Sequence, residues 1–302
     1  MTSVVTWNEY HKEILSSKVP MCITKIGSTE ARHISSFIQN NSEAAFKNRY
    51  GLDMSCGVHC SSYDSYINWC RSYISGIKTS DFILTWHDYS YSNSTKRNHK
   101  NIQRIIQNNL TDSFICSSLK NMSMKNKIEK NFPAAVFQPF SLGKDAWHRS
   151  LHDKKILVVS NAEKSFRYQA ERFDKIWHGA KLGGFEFVKI PLSENLTGNE
   201  NKVEWNSKLE DAQNEISKID FDFALVGCGG IGLVLIDFIK NQLGKSCTYL
   251  GGSLQLYFGI RGGRWENCRN DWYNDNEYWI KTFPEDIPIN YKTHENGSYW
   301  TT

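Results

Sequence analysis

The glycines and arginines between Phe221 and Trp265 carry the strongest chemical signal in this chain of 302 residues. Gly227, Gly229, Gly230 and Gly232 follow a short apolar run, Phe221 to Val226, and lead into Ile231 to Leu243, an apolar segment about the length of an ordinary helix. Glycines at a strand-to-helix turn let the backbone bend tightly and aim amide N–H groups and a helix N-terminus at an anion; a nucleoside diphosphate is the natural guest. A second glycine turn, Gly251-Gly252-Ser253-Leu254-Gln255, closes the next strand, Ser246 to Leu250. Beyond it Arg261 and Arg264 stand three residues apart among Gly259, Gly262 and Gly263. Two such forks can hold a diphosphate at about 1.5–3 kcal/mol per charge-assisted bond, or they can cap carbonyls and pair with surface acids. Far upstream, Lys25-Ile26-Gly27-Ser28-Thr29-Glu30 marks a switch from a buried strand, Met21 to Ile26, to a helix, Glu30 to Gln39, where backbone donors meet an acid.

Other chemistries fit these residues less well. Gly227-x-Gly229-x-x-Gly232 matches a nicotinamide-binding fingerprint, but the strand that follows ends in Gly251-Gly252 and offers no acid for the ribose. Gly244-Lys245-Ser246 resembles the end of a P-loop, yet Ile239 stands where the first glycine belongs and the order runs helix to strand. Cys56, His59, Cys60 and Cys70 lack a second Cys/His pair at finger spacing and read as thiols of the core or of loops. Ser160, near His148 and His152 in sequence, has no Gly-x-Ser-x-Gly elbow; a serine at a strand end caps a helix or touches a phosphate.

The elements around these residues alternate between strand and helix along nearly the whole chain. Residues 7 to 17 predict an opening helix, and Tyr63, Tyr66, Ile67, Cys70, Tyr73, Ile74 and Ile77 give one apolar helical face. Strands are expected at Phe82 to Thr85, Phe114 to Cys116, Ala134 to Phe137, Lys155 to Ser160 and Phe185 to Ile190, with helices over 102–110, from Ser165 through Trp177, and over Val203 to Ile219. Residues 87–101, with Lys96, Arg97, His99 and Lys100, and residues 194–201 read as polar connectors. The pattern predicts an α/β fold with a doubly wound, Rossmann-like, mostly parallel sheet. A chain of this length can bury roughly three quarters of its unfolded surface, so no disulfide or metal staple is required. The net charge of +4, with acids and bases interspersed, argues against a dedicated nucleic-acid binder. The N-terminus lacks a secretory pattern, no apolar window approaches the ~20 residues of a membrane span, and eight scattered cysteines read as reduced thiols, so a cytoplasmic protein without a transmembrane segment is expected.

The run from Ala224 to Trp265 closely resembles the C-terminal signature of the GT-D-fold glycosyltransferases of bacterial and viral polysaccharide gene sets. Trp147 to Ser160, with Ser165 and Gln169 after it, resembles that family's central strand and helix start, and Lys25 to Glu30 resembles its N-terminal Arg/Lys-x-Gly-Asp-x-Glu motif; the likeness covers residues 20 to 268. It implies one GT-D-type domain over residues 1–270, with an N-terminal half 1–150, a nucleotide-binding half 151–270 and a Trp/Tyr-rich extension 271–302. It further implies sugar transfer from a nucleotide-diphosphate sugar to a saccharide or glycan acceptor, assisted by a divalent cation, manganese or magnesium, with peripheral association with a glycan-assembly complex. On this likeness Glu30 is the metal ligand or general base. Lys25, Gly27, Ser28, Ser160, Ser165, Gln169, Gly227, Gly229, Gly230, Gly232, Gly251, Gly252, Gln255, Arg261 and Arg264 shape the donor site. Ser28 stands where the family carries its first acid. Either Glu30 then serves alone as ligand or base, or Lys25, Arg261 and Arg264 take over part of the cation's task. The alternatives are a nucleotide- or glycan-binding relative without chemistry, and a nicotinamide-dependent oxidoreductase.

Overall fold

The computed structural model describes residues 16–84, 110–111, 114–119, 151–177, 184–190, 202–263, 276–288, 291–293 and 297–300. Six strands, β1 (Cys22–Lys25), β2 (Phe82–Leu84), β3 (Lys155–Ser160), β4 (Gly184–Lys189), β5 (Phe223–Gly227) and β6 (Ser246–Tyr249), form one sheet in the order β2-β1-β6-β5-β3-β4. Every pairing in it is parallel. Such strands are covered on both faces, which is why they read as continuous apolar runs. Alternate side chains serve two separate cores: Cys22, Leu157, Val159, Ala224, Val226 and Cys247 join one, while Ile23, Ile156, Val158, Phe223 and Leu225 join the other.

The first face carries α1 (Ser28–Ile38), α2 (Ser42–Lys47), α3 (Tyr50–Cys56), α4 (Tyr63–Thr79), α7 (Trp205–Ile216) and α8 (Gly232–Asn241). The second carries α5 (Glu163–Ala170), α6 (Phe173–Ile176) and α9 (Leu254–Tyr257). This division follows from strand order. The steps β1 to β2 and β5 to β6 run one way along the sheet and β3 to β4 runs the other, so right-handed crossovers place their helices on opposite faces. Helices α4 and α8 pack so closely that a methyl group on Gly76 would overlap the Leu233 carbonyl. Asp237 of α8 fastens the pair by accepting from Ser75 at 2.9 Å, from Asn241 at 2.7 Å and from Thr79.

A two-stranded parallel ribbon, β7 (Ile260–Arg261) with β8 (Ile280–Lys281), lies beside the second face. The C-terminal extension is part of this structure, because Trp279, 4% exposed, belongs to the second core. Among the described residues no helix is long and apolar enough to cross a membrane.

Two expectations need correction. Residues 114–119 are helical, not a strand; Ile115 and Leu119, four residues apart, bury together in the first core, and a helix brings such a pair onto one face. The helix expected through Trp177 breaks into α5 and α6 around Glu171 and Arg172. Helices α2 and α3 had no apolar period to announce them; Leu52, Met54 and Cys56 of α3 are nonetheless buried. Most of the expected opening helix, the segments 85–109, 134–137 and 194–201, and residues 147, 148 and 264 lie outside the described residues.

Candidate functional site

Because all six strands run the same way, their C-terminal ends meet along one edge. Ser160 is the register partner of Gly227, Val226 of Tyr249, and Ile23 of Thr248. The chain leaves β1 and β5 toward helices of the first face, and leaves β3 and β6 toward helices of the second. Loops that part to opposite faces leave a crevice between them, the position where open parallel sheets bind ligands.

Two Gly-Gly turns line that crevice from adjacent strands. Gly229 has φ 65° and Gly251 φ 56°, left-handed values that a side chain would oppose. Each is followed by a single 3-10 turn, Gly229–Ile231 leading into α8 and Gly251–Ser253 leading into α9, and neither has a side-chain cap. The turns touch: a methyl group on Gly227 would lie 2.8 Å from the Gly251 carbonyl oxygen. The first turn is anchored from below. Trp69 of α4 donates its indole N–H to the Gly230 carbonyl at 3.0 Å, and the Tyr249 hydroxyl donates to the Gly229 carbonyl at 3.0 Å.

The Lys25–Glu30 segment arrives at the same place from β1. A methyl group on Gly251 would lie 3.1 Å from Lys25 Cε and 3.2 Å from Nζ, so the ammonium sits over the second turn. Helix α1 begins at Ser28 behind Gly27, which brings no capping side chain, and the Glu30 N–H is met by the Glu30 carboxylate. Glu30 turns inward, 5% exposed, with its carboxylate against Gly27 and its Cγ 3.6 Å from where a methyl group on Gly230 would lie. Burial raises its proton affinity above the usual carboxylate value, opposed by its own backbone N–H, the Cys56 thiol, Lys25 and Arg32. Cys56 and Val58, from α3 and the turn after it, pack against Gly230, with the Cys56 thiol beside Glu30.

This donor set does not fit a resident divalent cation. Such an ion asks for several oxygen ligands, whereas Ser28 brings no charge and the Glu30 carboxylate is buried beside a thiol and its own N–H. A cation supplied with the donor is a separate matter.

Other residues expected at the site have different partners. Ser160, 6% exposed, ends β3 on the crevice edge and its Oγ lies 3.4 Å from the Ala162 N–H. Ser165 is taken up by Asp286 of the C-terminal extension, which accepts from Ser165 N–H at 2.6 Å, Ser165 Oγ at 2.7 Å and Lys164 N–H at 3.3 Å. Gln169 is fully buried, and its amide nitrogen lies within 3.1 Å of the Phe258, Gly259 and Tyr278 carbonyls, tying the ribbon to α5. Gln255 reaches the Tyr299 carbonyl at 3.1 Å, and Tyr299 packs its ring on Gly252. Arg261, half-buried in β7, donates to the Asn276 carbonyl at 3.3 Å. The Lys25 to Glu30 segment and the two glycine turns are therefore gathered in one place, while Ser165, Gln169 and Gln255 hold the C-terminal extension.

Sequence reasoning missed Trp69, Tyr249, Cys56 and Asp286. Trp69 and Tyr249 read as apolar bulk, and nothing in the composition joins Asp286 to a helix start 121 residues away. The Cys56, His59, Cys60 and Cys70 set does not form a metal-holding group among the described residues. Cys56 faces Glu30, His59 pairs with Asp53 at 3.2 Å, and burial first of all pushes the Cys60 and Cys70 thiols up to about 12. The seven described cysteines are all buried and none is in a disulfide. No protein-family model, curated protein or solved structure matches this chain.

Proposed function

We propose that this chain is a glycosyltransferase of the GT-D type that moves a sugar from a nucleotide-diphosphate donor to a saccharide acceptor in glycan assembly. The observation that carries the reading is the meeting of Lys25, the start of α1 and both Gly-Gly turns in one crevice, from segments about two hundred residues apart. In the transfer, the bond between the sugar's anomeric carbon and the diphosphate oxygen breaks and its electron pair stays on the diphosphate. The acceptor hydroxyl oxygen bonds to the anomeric carbon and gives up its proton. Charge thus grows on the leaving phosphate, where an ammonium and preoriented N–H groups lower the barrier. In this reading Lys25 and the turns receive the diphosphate, and Glu30, made more basic by burial, takes the acceptor's proton. No step is routed through a metal.

The test is titration of the protein with uridine, guanosine, cytidine and thymidine diphosphate sugars, with and without manganese, following thermal stabilisation and donor hydrolysis. Stabilisation by one nucleotide class, with hydrolysis abolished in Glu30→Gln, is the expected result. No stabilisation and no hydrolysis with any donor overturns the reading. Tight binding without turnover assigns a nucleotide-binding relative that lacks the chemistry.

A further inference from the structure

We propose that the groove between α4 and the C-terminal end of α1 is a saccharide-binding site that holds an acceptor glycan outside the crevice. The inference rests on the glycan-transfer reading above for the kind of occupant, and extends that reading to a second place on the surface. The groove has the size of a ligand site, with a volume of about 870 Å³, inside the roughly 300–1,000 Å³ usual for small-molecule pockets. Its floor is apolar. Phe37, Tyr63 and Ile67 pack on the first core and stay only partly buried. Its rim is polar, with Asn40 from the turn after α1 and Asp64, Asn68 and Arg71 from α4.

The rim decides the chemistry of the occupant. Asp64, Asn68 and Arg71 stand at i, i+4 and i+7 and form one ridge along α4. One acid and one base offset each other, and the other polar side chains are amides and hydroxyls that both donate and accept, so the lining suits a neutral ligand rich in hydroxyl groups. A pyranose ring has this character, with hydroxyls around its edge and an apolar C–H face that lies on an aromatic ring. Tyr63 is held ready for it. Its hydroxyl lies 2.5 Å from Ser42 Oγ, and its ring meets Phe46 edge-on at 5.6 Å and stacks with Tyr66 at 6.5 Å. A platform already fixed loses little freedom on binding. An extended peptide fits less well: every lining residue except Asn40 lies in a helix, so the groove offers no strand edge for main-chain pairing. Helix α1 joins the two places, with Glu30 in its first turn and Ile38 at its last residue, about 12 Å further along the axis. That separation suits an acceptor of several sugars rather than one.

Isoleucine methyl groups provide the readout, because Ile38, Ile67 and Ile74 line the groove while Ile156 is fully buried in the other core. The experiment titrates the full chain, labelled at its isoleucine methyls, with maltotetraose, cellotetraose, laminaritetraose and chitotetraose, and separately with the apolar dye anilinonaphthalene sulfonate. The expected result is saturable shifts of the three groove methyls with at least one oligosaccharide and none at Ile156. Asn68→Trp, which fills the groove from an exposed position on α4, and Arg71→Ala are each expected to weaken that binding about tenfold or more. No groove shift with any of the four oligosaccharides overturns the inference. So do shifts that persist unchanged in both variants, and so does saturation by the dye alone, which would assign the groove to an apolar partner. Nucleotide titrations decide the donor-binding reading separately. A chain stabilised by a nucleotide sugar whose groove ignores all four oligosaccharides keeps that reading and loses this inference. A groove that takes an oligosaccharide in a chain that no nucleotide stabilises overturns sugar transfer and leaves a glycan-binding protein.

Discussion

Gly251→Ala and Gly244→Ala form a matched pair that separates backbone strain from loss of the site. Both glycines adopt left-handed backbone, φ 56° and φ 64°. An L residue there costs roughly 1–2 kcal/mol, which in a domain of this size lowers the thermal midpoint by roughly 2–5 °C. Their surroundings differ. A methyl group on Gly244 meets nothing within 4 Å, whereas on Gly251 it meets Lys25 Cε at 3.1 Å and Nζ at 3.2 Å. The end of a lysine side chain moves aside easily, so this contact adds little to the loss of stability. It displaces the ammonium from the turn. If the ammonium makes one charge-assisted bond to phosphate, its removal costs about 1.5–3 kcal/mol of binding, or about ten- to a hundredfold in dissociation constant. Scanning fluorimetry and calorimetry with pyrophosphate and the nucleoside diphosphates read both effects. The expected outcome is similar midpoints for the two variants and weakened binding in Gly251→Ala alone. Lys25→Met reproduces the binding loss without the strain. Unchanged affinity in Gly251→Ala, or an equal loss in Gly244→Ala, refutes the placement of the phosphate over the second turn.

Three further outcomes follow from the chemistry of buried groups. Burial, with a smaller contribution from Arg32, lowers the His33 pKa from 6.5 to about 4. The unfolded chain therefore takes up a proton that the folded chain refuses; stability is full above pH 6.5 and falls by at most about 3 kcal/mol as pH drops toward 4. Urea unfolding of His33→Gln at several pH values is expected to show a shallower acid slope, and an unchanged slope contradicts the assignment. Glu30 has the opposite sign: its folded pKa lies above 4.5, so the folded chain holds a proton the unfolded chain has released, and stability declines as pH rises through the folded value. Glu30→Gln, which cannot ionise, is expected to gain on the wild type with rising pH, and a gap that does not change with pH rules this out. Asp286→Ala strands the Lys164 and Ser165 N–H groups and the Ser165 hydroxyl beneath the extension, a loss of roughly 1–3 kcal/mol visible as a lower thermal midpoint; a midpoint equal to that of the wild type refutes the seat.

The parallel sheet was legible because strands covered on both faces leave unbroken apolar runs such as Ile156 to Val159 and Phe223 to Val226, and because glycine marks where they end. Strand order was not legible. That β1 lies beside β6, with Met21 N–H donating to Ser246 Oγ at 3.1 Å across 225 residues, depends on pairings that leave no local pattern. The burial of Glu30 was hidden for the same reason, since the helix that delivers Cys56 over it has a mixed polar surface. Asp286 shows how a remote pairing changes the meaning of a motif. The start of α5 follows Ser160, a strand-end serine of the kind that touches a phosphate, yet a carboxylate of the chain already accepts from the Lys164 and Ser165 N–H groups and offsets the partial positive charge of the helix end. The turns at Gly229 and Gly251 have no side-chain cap. A second anion at α5 would meet Asp286 with like charge, while one lying across β1, β6 and β5 meets Lys25 and the uncapped turns at Gly229 and Gly251, and burial favours the neutral form of the Glu30 carboxyl at the start of α1. The crevice is therefore electrostatically lopsided, and a diphosphate belongs on its β1–β6–β5 side.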